Sequence, residues 1–147
     1  MAEPVSLRVR ALRLLARREY SRLELQTRLS SDSADPGELD SLLDDFEGKG
    51  WLSEQRFVDA VVQTRRSRFG SVKVLHELKA KGVSEDGLSR AREALAANEI
   101  DAARSVWLKK FGNRPTSMSE RAKQARFLGG RGFSADVVRE VLDGSQD

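Results

Sequence analysis

Apolar and polar positions alternate along this chain with the period of helices, not of strands. Segments with apolar residues at three- or four-residue steps recur, each introduced by a residue suited to cap a helix. Ser6, Ser53 and Asn98 open one series, spaced by 47 and 45 residues. An oxygen at such a position accepts from N–H groups that the first helical turn leaves unpaired. Helices are predicted behind them over 7–18, 54–67 and 99–111, with apolar faces Leu12/Leu15, Phe57/Val61 and Ile100/Ala103/Trp107/Phe111.

Two further series succeed the first. Ser21, Ser71 and Ser117 precede helices predicted to bury Leu25/Leu29, Leu75/Leu78 and Ala122/Ala125/Leu128. Asp35, Ser84 and Ser134, spaced by 49 and 50 residues, precede helices burying Leu39/Leu42/Leu43/Phe46, Leu88/Ala91/Leu95 and Val137/Val138/Val141. Behind Asp35, Pro36 takes the first helical position and Glu38 the place a capping box requires. Gly82 and Gly132 end two of the second-series helices, and Gly48-Lys49-Gly50 ends the first of the third. The pattern predicts an all-α fold of three tandem three-helix, helix-turn-helix-like repeats, over residues 1–53, 54–97 and 98–147. Units of this size sit at the lower limit for an independent core, so neighbouring units are expected to support one another.

Composition agrees with helix: Ala, Leu, Arg and Glu abound, and only three prolines occur. The absence of cysteine excludes disulfides and thiolate metal sites. No run of eighteen apolar residues and no signal-peptide core are found, so a cytoplasmic protein without a membrane partner is expected. Net charge is only +3 but unevenly spread: residues 1–53 sum to −2, 54–97 to +3 and 98–147 to +2.

A search for catalytic chemistry yields nothing. His76 is the single histidine and has no cysteine or second histidine to share a metal. Asp44, Asp45 and Glu47 lie on a helix that also carries Glu38 and Asp40, the pattern of a solvated acidic face. Gly129-Gly130-Arg131-Gly132 lacks the preceding strand and the Lys-Ser/Thr of a phosphate loop, and reads as a helix stop. No cofactor, metal or small-molecule substrate is expected.

One polar feature repeats. Each first helix ends in paired cations: Arg17-Arg18, Arg65-Arg66 and Lys109-Lys110. Favourable interaction with the helix dipole accounts for the pairs themselves. It does not account for the larger excess around them: six cations and one acid between Arg65 and Lys81, and seven cations and one acid between Lys109 and Arg131. Arg65, Arg66, Arg68, Lys73, Lys79 and Lys81, then Lys109, Lys110, Lys123, Arg126 and Arg131, are therefore the candidate partner-binding residues, suited to phosphates or an acidic protein surface. In the first unit the five arginines of the first helix are expected to be absorbed by six acids between Asp35 and Glu47. Phe57, Phe111 and Trp107 belong to apolar faces, whereas Trp51, Phe69 and Phe133 lie near helix ends with room for partial exposure.

These residues resemble the RecX regulatory proteins, modulators of the RecA recombinase. The segment from Ala11 to Ser21, with Glu24-Leu25 and Leu29, is similar to that family's opening motif, and Gly50-Trp51-Leu52-Ser53-Glu54-Gln55-Arg56-Phe57 to its most recognisable segment. Gly70, Lys73, Glu77-Leu78 and Lys81-Gly82-Val83 fit the second unit, and Lys123, Phe127-Leu128 and Arg131-Gly132-Phe133-Ser134 the third. The resemblance spans residues 7–143. It implies an elongated, curved row of three-helix repeats that binds in the groove of the RecA–DNA filament and inhibits ATP hydrolysis, filament growth and strand exchange. A helix-turn-helix-like module contacting DNA through nonspecific phosphate contacts is the alternative. A hydrolase built on His76 or Asp44/Asp45 ranks third.

Overall fold

In the computed structural model of the chain, residues 5–32 and 35–144 are described, and they are helical with no strand among them. Unit 1 comprises α1 (Leu7–Arg17), α2 (Arg22–Leu29, prolonged by a 3-10 turn over Ser30–Asp32) and α3 (Pro36–Gly48). Unit 2 comprises α4 (Glu54–Arg65), α5 (Ser71–Ala80) and α6 (Glu85–Ala96), and unit 3 α7 (Glu99–Lys110), α8 (Met118–Gly130) and α9 (Ala135–Asp143). Each trio encloses a separate apolar cluster: Leu25, Leu43 and Phe46 lie at the centre of the first, Phe57, Val74 and Leu78 of the second, Trp107, Leu128 and Val141 of the third.

The periodicity anticipates most of these faces, with two corrections. Ile100 and Ala122 face solvent, and Gln124, outside the predicted face Ala122/Ala125/Leu128, is buried. The reason is Trp107: its buried indole N–H requires an acceptor, and Gln124 Oε1 supplies one at 2.8 Å while Gln124 Nε2 donates to the Asn113 carbonyl. Phe133, with room for exposure in the sequence, is buried, whereas Trp51 is exposed and Phe69 half-buried.

The caps agree with the sequence at Ser6, Ser21, Ser53, Ser84, Ser117 and Ser134, each accepting from an N–H in the first turn behind it. Ser21 and Glu24 form a reciprocal capping box. Asp35 accepts from the Gly37 N–H at 2.9 Å, with Pro36 opening α3. Asn98 and Ser71 break the pattern. Asn98 makes no side-chain cap bond, and Ser71 is not a cap but the first residue of α5, behind Gly70.

The uncapped start of α5 is completed by unit 3. The Gly70 N–H donates to the Arg131 carbonyl at 2.9 Å and the Val72 N–H to the Gly132 carbonyl at 3.0 Å. Between them, the Ser71 N–H and Oγ–H both donate to Oε1 of Glu99, the first residue of α7. Donors that a helix start leaves unpaired are thus satisfied across the boundary between units. Main chain lies against main chain there: a Cβ on Gly70 would collide with the Gly132 carbonyl, and a Cβ on Gly132 would strike the Lys73 Cβ and lie 2.7 Å from its main-chain N. Gly132 also has φ +93°, a conformation glycine adopts without steric cost.

The boundary between units 1 and 2 uses the same geometry with different contacts. Gly82, 50 residues before Gly132, closes α5 with φ +81°. In both turns the bonding is alike: Gly82 N–H to Lys79 O and Val83 N–H to Leu78 O, then Gly132 N–H to Gly129 O and Phe133 N–H to Leu128 O. Gly82 meets the side chain of Leu23 on α2, not backbone, and the polar links are made by side chains: the ion pairs Lys81–Glu24 at 3.4 Å and Arg56–Glu19 at 2.9 Å, and a bond from Arg56 to the Gly50 carbonyl at 2.7 Å.

Candidate functional site

The charged surface of the molecule is set by which helices carry the cations and what each cation meets. In α5, Val74 and Leu78 point into the core, leaving Lys73, His76 and Lys79 on the outer face at three-residue steps. In α8, Gln124 and Leu128 take the buried positions and Lys123 and Arg126 the outer ones. Lys123 lies 50 residues after Lys73, so units 2 and 3 share a cation at that place in the repeat, while Arg126 stands where unit 2 has His76 and Lys79 where unit 3 has Gly129. The matching positions of α2, set by its buried Leu25 and Leu29, are Glu24 and Thr27, and unit 1 lacks such a basic ridge.

At the junction of units 2 and 3 the predicted cations gather around aromatic rings that the sequence pattern does not assign to the site. Lys73 Nζ lies 4.9 Å from the centre of the Phe69 ring, with the guanidinium groups of Arg131 at 5.5 Å and Arg68 at 5.8 Å. Arg131 also lies 5.3 Å from the centre of Phe127, which Lys110 approaches at 5.4 Å. Arg131 donates to the Arg68 carbonyl at 3.1 Å, tying the cluster across the boundary. Half-buried rings facing cations through their negative π-faces hold those side chains without neutralising them. The signal available beforehand was the i+4 spacing of Phe69 and Lys73 and of Phe127 and Arg131.

Other predicted cations have internal partners. Arg65 forms an ion pair with Glu77 at 3.1 Å, and Lys81 pairs with both Glu77 and Glu24. Arg18 closes on Glu24 from the other side at 3.1 Å. The result is a continuous alternation, Arg18–Glu24–Lys81–Glu77–Arg65, that begins in unit 1 and ends in unit 2. Burial pushes the Glu24 carboxyl upward, but hydrogen bonds from Arg18 and the Ser21 N–H, with the charge of Lys81, outweigh it and hold the group below its ordinary value. Burial likewise acts on Glu77 and is overcome by hydrogen bonds from Arg65 and Lys81. Arg66, Lys79, Lys109, Lys123 and Arg126 form no ion pair among the described residues.

In unit 1 the acidic face is paired in part, but not as expected. It is Arg22 of α2, not the row of α1 arginines, that reaches Asp44 at 2.7 Å, Glu47 at 2.8 Å and Asp40 at 3.7 Å. Of the α1 arginines, Arg8 meets Asp45 in that face, while Arg10 reaches Asp32 and Arg18 turns to Glu24. The packing of α2 on α3 brings Arg22 over the acids, whereas α1 projects most of its cations outward. His76 is exposed, and no group of metal-ligating side chains occurs among the described residues. No helix among them is long and apolar enough to cross a membrane.

The chain is similar to known proteins over nearly its whole length. The family model for the second three-helix domain of RecX matches residues 53–91, and that for the third matches residues 97–142. A regulatory protein RecX of Leptothrix cholodnii is 46% identical over 94% of this chain and 88% of its own length. One of Ralstonia nicotianae is 43% identical over 97% of this chain and 90% of its own. Two crystal structures share the fold. One of regulatory protein RecX has a TM-score of 0.80 at 18% identity, covering 95% of this chain and 72% of the other. One of RecX from Lactobacillus salivarius has a TM-score of 0.78 at 14% identity, covering 93% and 92%.

Proposed function

Because this chain belongs to the RecX family of regulatory proteins, we propose that it is a non-catalytic cytoplasmic regulator of homologous recombination and DNA repair. It binds the RecA recombinase filament on DNA and restrains ATP hydrolysis, filament extension and strand exchange. The observation that carries this reading is the exposed basic face that both α5 and α8 carry, Lys73 with Lys79 and Lys123 with Arg126, with Lys73 and Lys123 at one place in the repeat. A polymer of identical subunits presents its surface at regular intervals, and a chain with a basic face on each of two neighbouring units engages two of them at once. Each contact is weak by itself, and the second gains from the effective concentration set by the first. Lys109, Lys110, Arg66 and Arg68 extend the charged surface around the ridge. Arg65, Lys81 and Arg131 also serve the fold, through Glu77, Glu24 and the Arg68 carbonyl.

The decisive experiment measures RecA's DNA-dependent ATPase against increasing concentrations of this protein, then repeats it with Lys73→Glu, Lys123→Glu and Arg126→Glu combined. Inhibition by the parent chain and its loss in the variant, with helical content unchanged, is the expected result. A parent chain that leaves the ATPase and filament assembly untouched removes the reading; equal inhibition by the variant removes the ridge from it.

Direct phosphate contact is a second reading, favoured by the cations held open around Phe69 and Phe127 at the junction of units 2 and 3. It predicts DNA binding in the absence of RecA, with affinity falling steeply as salt rises. No binding at low ionic strength eliminates it.

A further inference from the structure

The two boundaries between units differ in kind. Units 2 and 3 meet through main-chain hydrogen bonds, a carboxylate on a helix start, and glycines against backbone with no room for a Cβ. The main-chain bonds and the glycine contacts are short-ranged, and dissolved salt does not screen them. Units 1 and 2 meet through side chains: Leu23 against Gly82, Arg56 on Glu19 and the Gly50 carbonyl, and Lys81 on Glu24. Clefts open along that boundary, one between α2 and the end of α5 lined by Tyr20, Leu23, Thr27 and Ala80, another between the turn at Arg18 and Glu19 and α4, lined by Phe57, Val61 and Thr64. The apolar clusters on either side remain separate. Ion pairs of this partly exposed kind lose strength as ionic strength rises.

We propose that unit 1 is hinged on a rigid body formed by units 2 and 3, and that the ladder Arg18–Glu24–Lys81–Glu77–Arg65 is the latch that keeps the hinge closed. Gly82 and Leu23 form its pivot, because a side chain resting on a glycine turn permits tilt without breaking a hydrogen bond. The outer rungs are two-pronged, Arg18 on Glu24 at 3.1 and 3.3 Å and Arg65 on Glu77 at 3.1 and 3.3 Å. The two rungs of Lys81 are single, at 3.4 Å to Glu24 and 3.3 Å to Glu77, and only the Lys81–Glu24 rung crosses the boundary. A polyanion that takes Lys81 or Arg18 as its counter-ion competes directly with Glu24, so binding there and opening of the hinge are thermodynamically linked. The inference stands on the contacts between units and is independent of which macromolecule the basic ridge engages.

The chain has no cysteine, so pairs of dyes can be placed at will. Ser41 on α3, Ser89 on α6 and Ser119 on α8 are exposed, one in each unit. Energy transfer is measured for Ser41→Cys with Ser89→Cys, and for Ser89→Cys with Ser119→Cys, from about 10 mM to about 1 M salt, over which the Debye length falls from about 30 Å to about 3 Å. Transfer across units 1 and 2 is expected to shift and its distance distribution to broaden, while transfer across units 2 and 3 stays constant. Lys81→Met and Glu24→Gln (the glutamine keeps an oxygen for the Ser21 N–H) are expected to produce the same shift already at low salt. Far-UV circular dichroism must remain unchanged throughout. Constant transfer for both pairs, or equal shifts in both, overturns the proposal, as does a low-salt distribution in Lys81→Met identical to that of the parent.

Discussion

Replacing Gly132 with alanine tests the account of the boundary between units 2 and 3 most directly. At φ +93° the left-handed conformation costs an alanine about 1–2 kcal/mol. Its Cβ would also strike the Lys73 Cβ and sit 2.7 Å from the Lys73 main-chain N, neither of which can rotate away. Forced overpacking of that kind costs about 1–3 kcal/mol. The sum, about 2–5 kcal/mol, is a large share of the stability of a small domain. The structure offers one relief, which is to part the two units and surrender the bonds from Gly70 and Val72. Two glycines serve as comparisons. Gly82→Ala carries the conformational cost at φ +81° but meets a side chain, with the Leu23 Cβ at 2.9 Å, and should lose less. Gly129 lies inside α8 with nothing within 4 Å of a Cβ, so Gly129→Ala should stabilise by about 0.5–1 kcal/mol through helix propensity. Urea denaturation monitored by circular dichroism ranks the three, with Gly132→Ala least stable and its transition broadened or divided as unit 3 uncouples. A Gly132→Ala midpoint at or above that of Gly82→Ala would refute the backbone-on-backbone description.

The caps, the buried amide and the ladder each yield a measurable expectation. Ser134→Ala should cost about 1 kcal/mol by removing the acceptor of the Val137 N–H, whereas Asn98→Ala should be near neutral because Asn98 makes no cap bond; thermal melts of the two variants decide. Gln124→Leu strands the buried Trp107 N–H and should lower stability by about 1–3 kcal/mol in urea denaturation despite the added apolar surface; an unchanged midpoint contradicts it. The carboxyls of Glu24 and Glu77 titrate below their ordinary value of 4.5 in the folded chain. Their contribution is therefore present above that value and lost as pH falls through the lowered folded values. The urea midpoint should fall on acidification across this window, and Glu24→Gln with Glu77→Gln should flatten that part of the profile.

What was legible in the sequence was whatever acts locally. A serine three residues ahead of an N–H, a leucine recurring every turn and a glycine ending a helix are decided within a few residues, and Ser53, Leu78 and Gly132 are placed as the pattern requires. Ser71 was misplaced because the acceptors that complete its helix are the carbonyls of Arg131 and Gly132 and the carboxylate of Glu99, distant in the chain. Gln124 was missed for a similar reason: a polar residue is stable in a buried position only when a partner such as Trp107 waits there, and a helical period does not report partners. The candidate cations were visible together, but the pattern could not separate Arg65 and Lys81, engaged with Glu77, from Lys123 and Arg126, which stand free of ion pairs among the described residues. That separation depends on side-chain reach across helix pairs, as does the placing of Arg22 over Asp44 and Glu47.

The completion of α5 by the next unit in the chain bears on how the protein is made. On a ribosome, α4, α5 and α6 emerge before the residues that accept from Gly70, Ser71 and Val72 have been joined to the chain. Until α8 and the turn behind it are clear of the exit tunnel, the first turn of α5 must leave its donors to water. The nascent middle unit is thus held short of its final stability by the order of synthesis, and maturation of the second and third units becomes a single event that waits for α8.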